Sequence, residues 1–326
     1  MPRQARLDAP GTLHHVMVRG IERRRIFTDD HDRNAFVSRM GDLASEGKTG
    51  IYAWALLPNH VHILLRSGVQ GLPRYMRRLL TGYAVTYNRR HQRYGHLFQN
   101  RYKSILCEED TYFMELVRYI HLNPLRAKLV EDSSSLERYR WCGHGILTGR
   151  FKNEWQDRDY VLSWFGKKEG VARAAYRKYV EEGISQGRRP DLVGGGLIRS
   201  QGGWSQVLSM RRRNLCEASD ERILGSGDFV ERVIQEADEN FQRMIQARKK
   251  KQEMAVLINK MCEKGGISRK ELQSGSRRRP VSSARSRVAL EMVRNRGFSL
   301  AETARQLGVS TSGISKLLLR KGSKST

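Results

Sequence analysis

Strand-like and helix-like periodicities alternate in the order β-α-β-β-α-β-α over residues 13 to 122, and the chain from residue 251 onward reads as helical. With 39% hydrophobic and 8% aromatic residues, enough for folded cores, these patterns predict an α+β protein. A ferredoxin-like (split βαβ) antiparallel-sheet domain is expected over residues 1–145, and an all-α domain with a helix-turn-helix over 251–326. Residues 146–250 are expected to be a helical or linker region without an assigned role.

Leu13 to Arg19 alternates as a strand and is closed by Gly20 and a basic turn, Arg23-Arg24-Arg25. Asp32 to Ser45 has helical spacing, with Phe36, Val37, Met40 and Leu43 on one face. Strands over Ile51–Leu57 and His60–Arg66 flank Pro58-Asn59, a turn signal. Next, Leu72, Tyr75, Met76, Leu79, Leu80 and Tyr83 mark an amphipathic helix whose other face carries Arg74, Arg77 and Arg78. A fourth strand, Leu97 to Leu106, alternates only approximately, and a helix from Thr111 to Leu122 stops at Asn123-Pro124. In such an arrangement helices cover one sheet face, and the other is expected to be free for a nucleic-acid strand. Further helical patterns lie near Val161–Phe165, Val171–Val180 and Phe229–Ala237. Val193-Gly194-Gly195-Gly196 and Gln201-Gly202-Gly203 read as connectors, and Gln246–Lys251 as a charged bridge.

Sixty Lys and Arg against 34 Asp and Glu leave a formal charge of +26, which a polyanion would neutralise. No segment approaches the ~20 apolar residues of a bilayer span, and the first residues lack the apolar stretch of a signal peptide. Cys107, Cys142, Cys216 and Cys262 form no Cys-x-x-Cys pair, as expected for free thiols in a reducing cytoplasm. A cytoplasmic, nucleoid-associated protein with nucleic-acid partners and no membrane is therefore expected.

His60 and His62 lie two apart in a strand and so share a face, while Val61 and Ile63 point to the core. Two such imidazoles can share a divalent ion, or can simply be half-exposed side chains. Tyr112, Glu115, Tyr119 and Asn123 form a stripe beside the apolar one of the later helix. If that stripe covers the histidines, the Asn123 amide oxygen completes a site suited to Mg²⁺ or Mn²⁺, with the Tyr119 phenol near it; on its own, Tyr119 reads first as a packing residue. A metal-free class with three alternating strand histidines is disfavoured because Leu64 occupies the third position, and His121 falls opposite Tyr119 on its helix.

Four blocks occur in order: Gly11 to Gly20 (Gly-Thr-Leu-His-His-Val-Met-Val-Arg-Gly), Pro58-Asn59-His60-Val61-His62, Gly95 to Lys103, and Arg118 to Ala127 (Arg-Tyr-Ile-His-Leu-Asn-Pro-Leu-Arg-Ala). In these the sequence resembles the REP-associated tyrosine transposases, single-tyrosine HUH transposases of the insertion-sequence type, over about residues 1 to 145. The resemblance implies a single-strand DNA nicking and joining enzyme. In it His60, His62 and Asn123 would hold Mg²⁺ or Mn²⁺, Tyr119 would be the nucleophile, and hairpin-forming DNA would be cut through a 5′-phosphotyrosine. Relatives act as dimers or monomers, and both states stay open. Arg19, Arg77, Arg78, His96, Arg101 and Lys103 are the candidate DNA contacts of this region; Phe98 and Tyr102 could stack on bases, but read first as packing residues.

Near the C-terminus, Ser299 and Glu302 read as a capping box, Gly308 as a turn and Ser310 as the next cap, the layout of a helix-turn-helix. Its second helix would expose Thr311, Ser312, Ser315 and Lys316 to base edges of duplex DNA, with Arg278, Arg279, Arg285 and Arg287 adding phosphate-binding charge. This region is similar, more loosely, to the DNA-binding domain of bacterial replication initiators. The competing expectation is a DNA-binding regulator or chromosome-organising protein that uses the fold for hairpin recognition without cleavage.

Overall fold

The computed structural model describes residues 7–8, 10–187, 189–193 and 218–322. Most of the expected glycine-rich connectors and Cys216 lie outside them. The chain divides into two compact units, residues 1–237 and 238–326.

The first unit is built on β1 (Leu13–Arg19), α1 (Asp30–Gly47), β2 (Gly50–Leu57), β3 (His60–Arg66), α2 (Leu72–Arg90), β4 (Lys103–Cys107) and α3 (Glu109–His121). A two-residue strand, β5 (Ile223–Leu224), completes a mixed sheet of order β2-β3-β1-β4-β5; β5 runs parallel to β4 and the other pairs are antiparallel. The Pro58-Asn59 turn sets Leu57 opposite His60, and this register carries through to Arg19 opposite His60 and Met17 opposite His62. A one-residue slip would turn both histidines into the α1/α2 core, so the alternation of apolar residues holds the site in place.

One sheet face, with Val16, Val18, Trp54, Leu56, Val61 and Ile63, packs on Phe36, Met40, Leu79 and Tyr83 of α1 and α2. The opposite face is not free, contrary to the expectation. Leu13, Tyr52, Ala55, Leu57, Leu64 and Ile105 pack beneath Phe113, Leu116, Val117 and Ile120 of α3, and the same cluster takes in Val161, Leu162, Ala172, Tyr176, Val180 and Leu192. These last residues come from the helices Arg158–Ser163 and Glu169–Glu182 and from the segment after them. The expected boundary near residue 145 therefore does not separate two cores, because residues beyond it bury apolar area that the first 145 cannot cover alone.

The fourth strand is shorter than expected. Leu97 and Tyr102 are buried in the α2-side cluster, but the ladder begins only at Lys103; before it, Gln99 N–H donates to the Arg19 carbonyl and Ile21 N–H to the Leu97 carbonyl. Asn123-Pro124 ends α3 and also opens a single further turn, Asn123–Arg126, where proline fits because the first turn needs no N–H donor. The charged bridge Gln246–Lys251 lies inside one helix, Gly227–Gly265.

The second unit is helical. After Gly265 come Arg269–Gln273, Arg279–Leu290, Leu300–Leu307 and Thr311–Gly322, around Ile258, Leu272, Val288, Met292, Leu307 and Ile314. The Ser299 hydroxyl accepts from Glu302 N–H, one half of the expected box, and Ser310 accepts from Gly313 N–H. Arg285 corrects another expectation: it is buried, and its guanidinium donates to the carbonyls of Leu272 and Ser276, so it clamps the core instead of meeting phosphate. Cys107, Cys142 and Cys262 are buried free thiols. No described helix is long and apolar enough to cross a membrane.

Gly308 sits at φ +64°, and a Cβ there would stand 2.2 Å from the Gln273 carbonyl oxygen. Gly308→Ala is expected to destabilise residues 238–326 by more than about 1 kcal/mol, the left-handed strain alone. Chemical denaturation of the full chain reads this out, and an unshifted midpoint would contradict it.

Candidate active site

Because β1 and β3 are neighbours, their odd- and even-numbered residues respectively put His15, His60 and His62 on the face beneath α3. The rings of His60 and His62 meet edge to face at 5.2 Å, and His15 stacks on His62 at 5.2 Å. Tyr119 presents its ring to both His15 (5.9 Å) and His62 (5.8 Å), so α3 carries the tyrosine onto the imidazole cluster as the stripe expectation required. Asn123, one turn later and buried, donates its amide N–H to the Tyr119 carbonyl at 3.1 Å. Arg126 lies 5.3 Å from the Tyr119 ring centre.

Electrostatics follows from the cover. Burial pushes the His15 and His60 imidazoles down to about 4, with the cation of Lys103 adding to the effect on His15 and that of Arg19 on His60. His62 is lowered well below its ordinary value, first by burial and then by its two imidazole neighbours. Burial raises the Tyr119 phenol, and the Arg126 guanidinium opposes that rise. All three imidazoles are thus uncharged near neutrality, the form that ligates a metal.

The donor set fits a divalent cation. Asn59 donates its amide N–H to the Arg23 carbonyl, which turns its amide oxygen to His60, and His60 Nδ1 donates to it at 2.6 Å. The His60 Nε2 lone pair stays available, the usual arrangement of a second partner orienting a metal-binding histidine. His62 Nδ1 is likewise engaged, 2.9 Å from His15 Nε2. No group of three or more His, Cys, Asp or Glu that could hold a metal occurs among the described residues, so other ligands would come from Asn123 or from bound DNA.

The remaining candidates are dispersed. Exposed Arg77, His96 and Arg101 line one cleft of about 750 Å³ between α2 and the loop before β4, with Met76, Leu80 and Leu97 on its walls. Arg78, on the same helix, is ion-paired with Glu46. Arg19 is exposed beside His60, whereas Lys103 donates to the Val193 carbonyl at 2.7 Å. In the second unit Arg278, Arg279, Thr311, Ser312 and Lys316 are exposed and Ser315 is half-buried. His121 is buried away from the site and hydrogen-bonded with the Tyr176 hydroxyl at 2.7 Å. Sequence reasoning missed two participants. His15 shares the strand parity of Arg19, which could have flagged it, and Arg126 stands one helical turn beyond Asn123 and Leu122, inside the last motif block.

Two imidazoles of one strand facing a helical tyrosine over an antiparallel ladder define the class of site. Residues 11–123 match the model of the family described as "Transposase IS200 like". No curated protein matches the chain. Among solved structures, "Structure of the REP associates tyrosine transposase bound to a REP hairpin" is 15% identical at a TM-score of 0.38, covering 48% of this chain and 94% of that one. A putative transposase from Deinococcus radiodurans R1 is 18% identical at a TM-score of 0.27, covering 35% and 92%.

The lowered imidazoles set a pH dependence. Unfolded histidines titrate near 6.5, whereas in the fold His15 titrates at about 4 and His144, also desolvated, at about 3. Between these values the unfolded chain binds more protons, so stability is held above about pH 6.5 and lost as pH falls toward 4, by up to about 1.4 kcal/mol per pH unit for each proton. Urea midpoints measured in chelator at pH 7.5 and pH 5 check this, and equal midpoints would contradict it.

Proposed function

We propose that the protein is a metal-dependent single-strand DNA nicking and joining transposase that acts on hairpin-forming, REP-like DNA. The observation that carries the reading is the Tyr119 ring 5.8 Å from His62, on the sheet face that also holds His60. The IS200-like family match over residues 11–123 supports the same chemistry. The strand order β2-β3-β1-β4 around two crossover helices is read as ferredoxin-like.

In this mechanism His60 and His62, with Asn123 assisting, would hold Mg²⁺ or Mn²⁺. When bound, the cation neutralises charge developing on the scissile phosphate and favours the phenolate form of a nearby tyrosine. Tyr119 Oη attacks phosphorus and loses its proton; the P–O3′ bond breaks, and the departing oxygen takes up a proton as a 3′-OH. The resulting 5′-phosphotyrosine keeps a phosphodiester, so rejoining needs no nucleotide cofactor. Arg126 opposes the rise in phenol pKa caused by burial. Exposed Arg77, His96 and Arg101 offer one cleft with apolar walls and a basic rim, which suits an unpaired base and its phosphate. Arg19, opposite His60 in the β1–β3 register and exposed, would contact a phosphate at His60.

Residues 299–316 are read as a helix-turn-helix for duplex DNA, with Thr311, Ser312, Ser315 and Lys316 toward base edges and Arg278 and Arg279 toward phosphates. The protein would work as a monomer or homodimer.

A labelled single-stranded hairpin incubated with Mg²⁺ is expected to give a protein-linked fragment on a denaturing gel, and Tyr119→Phe to abolish it with binding retained. Absence of any adduct across a panel of hairpins, with binding unchanged in the mutant, would instead favour the DNA-binding regulator. His60→Ala is expected to lose cleavage and keep duplex affinity within about twofold; parallel loss of both would refute the division of labour.

A further inference from the structure

His15 stands between His62 and a backbone carbonyl from far along the chain. Its Nε2 is 2.9 Å from His62 Nδ1, and its Nδ1 is 3.1 Å from the Leu192 carbonyl oxygen. All three residues are buried, with His15 and Leu192 at 0% and 1% exposure, so water does not compete for these contacts. A carbonyl oxygen only accepts, hence His15 Nδ1 carries the ring proton. An uncharged imidazole has one such proton, so His15 Nε2 presents a lone pair. The proton in the 2.9 Å contact then belongs to His62 Nδ1, and His62 Nε2 is left bare. The opposite tautomer would place N–H on His62 Nε2 and block it as a ligand.

We propose that His15 and the Leu192 carbonyl form a positioning relay that fixes His62 in the tautomer with a free Nε2, giving residues 189–193 a role in the site. The consequence for metal binding rests on the reading of His62 as a cation ligand; the tautomer itself does not. The strap is anchored at both ends. Arg189 donates to Glu115 at 3.0 Å and to Asp191 at 2.7 Å, and Lys103 donates to the Val193 carbonyl. Glu115 lies one turn before Tyr119 on α3, so the helix that delivers the tyrosine also holds the strap that orients the histidine. The acceptor of the relay comes from outside the family-matched residues 11–123, in a region that otherwise supplies packing.

The test uses the full chain, metal-free and labelled with ¹⁵N-histidine. Two-bond ¹H–¹⁵N correlation is expected to show His15 and His62 both protonated at Nδ1 and bare at Nε2; a proton on His62 Nε2 overturns the relay. In His15→Ala, His62 is expected to populate both tautomers, and Mn²⁺ affinity, read by electron paramagnetic resonance of the free ion, to fall roughly 10- to 100-fold. His15→Gln, whose amide oxygen can accept from His62 Nδ1–H, is expected to restore most of both. An unmixed tautomer and unchanged affinity in His15→Ala would also overturn the relay. If the wild-type spectrum has the expected pattern but Mn²⁺ leaves the His62 signals unmoved, the relay stands and the cation reading fails. Should His15→Ala not fold, the wild-type spectrum and His15→Gln still decide.

Discussion

The 2.9 Å contact between His15 and His62 exists only because the sheet face beneath α3 is dry. Imidazoles exposed to water would be half protonated near pH 6.5 and would bond to solvent. Here burial lowers the pKa of all three site histidines, and the fully buried His15 and His62 bond to each other. That condition is met by α3 together with the helices between residues 158 and 182, so the chemistry of β1 and β3 depends on residues more than a hundred positions away. Tyr119 belongs to the same dry layer, and the burial that neutralises the histidines also raises its phenol. The Arg126 guanidinium over its ring and, more weakly, Arg19 oppose that rise.

The charge of +26 is not spread evenly over binding surfaces. Several arginines are consumed by the architecture. Arg90 ties α2 to Asp29 and Asp32 at the start of α1, and Arg118 pairs with Glu115 and lies over Tyr179. Arg285 donates to two core carbonyls. Among the described residues, exposed cations remain on the Arg23-Arg24-Arg25 turn, at the α2 cleft and on the C-terminal helices, where Arg278 and Arg296 also pair with Glu271 and Glu291. Exposed ion pairs such as Arg78 with Glu46 contribute little to stability, so a polyanion could displace the carboxylate at small cost.

Much of the sheet was legible because strand periodicity is short and local. β1 and β3 have the bounds their alternation suggested, and the Pro-Asn turn set the register of β2 against β3. The pairing of Tyr119 with the histidines was legible from helical spacing once α3 was assumed to cover them. The reading failed where burial did not come from a ladder. Leu97 and Tyr102 are apolar because they pack against α2, not because they pair as a strand. Arg285 looked like surface charge because nothing local reveals that two carbonyls converge on it.

The sequence by itself determined the element order around the site, the shared face of His60 and His62, and the presence of a tyrosine one helical turn before an asparagine. Each of these is a matter of backbone period, which neighbouring residues specify among themselves. Tertiary structure alone decided that the sheet's second face is closed, that His15 joins the pair, and that Leu192 supplies the carbonyl behind it. Those contacts link residues 47 and 177 positions apart, and a hydrogen bond to a backbone carbonyl leaves no mark on the identity of the residue that offers it.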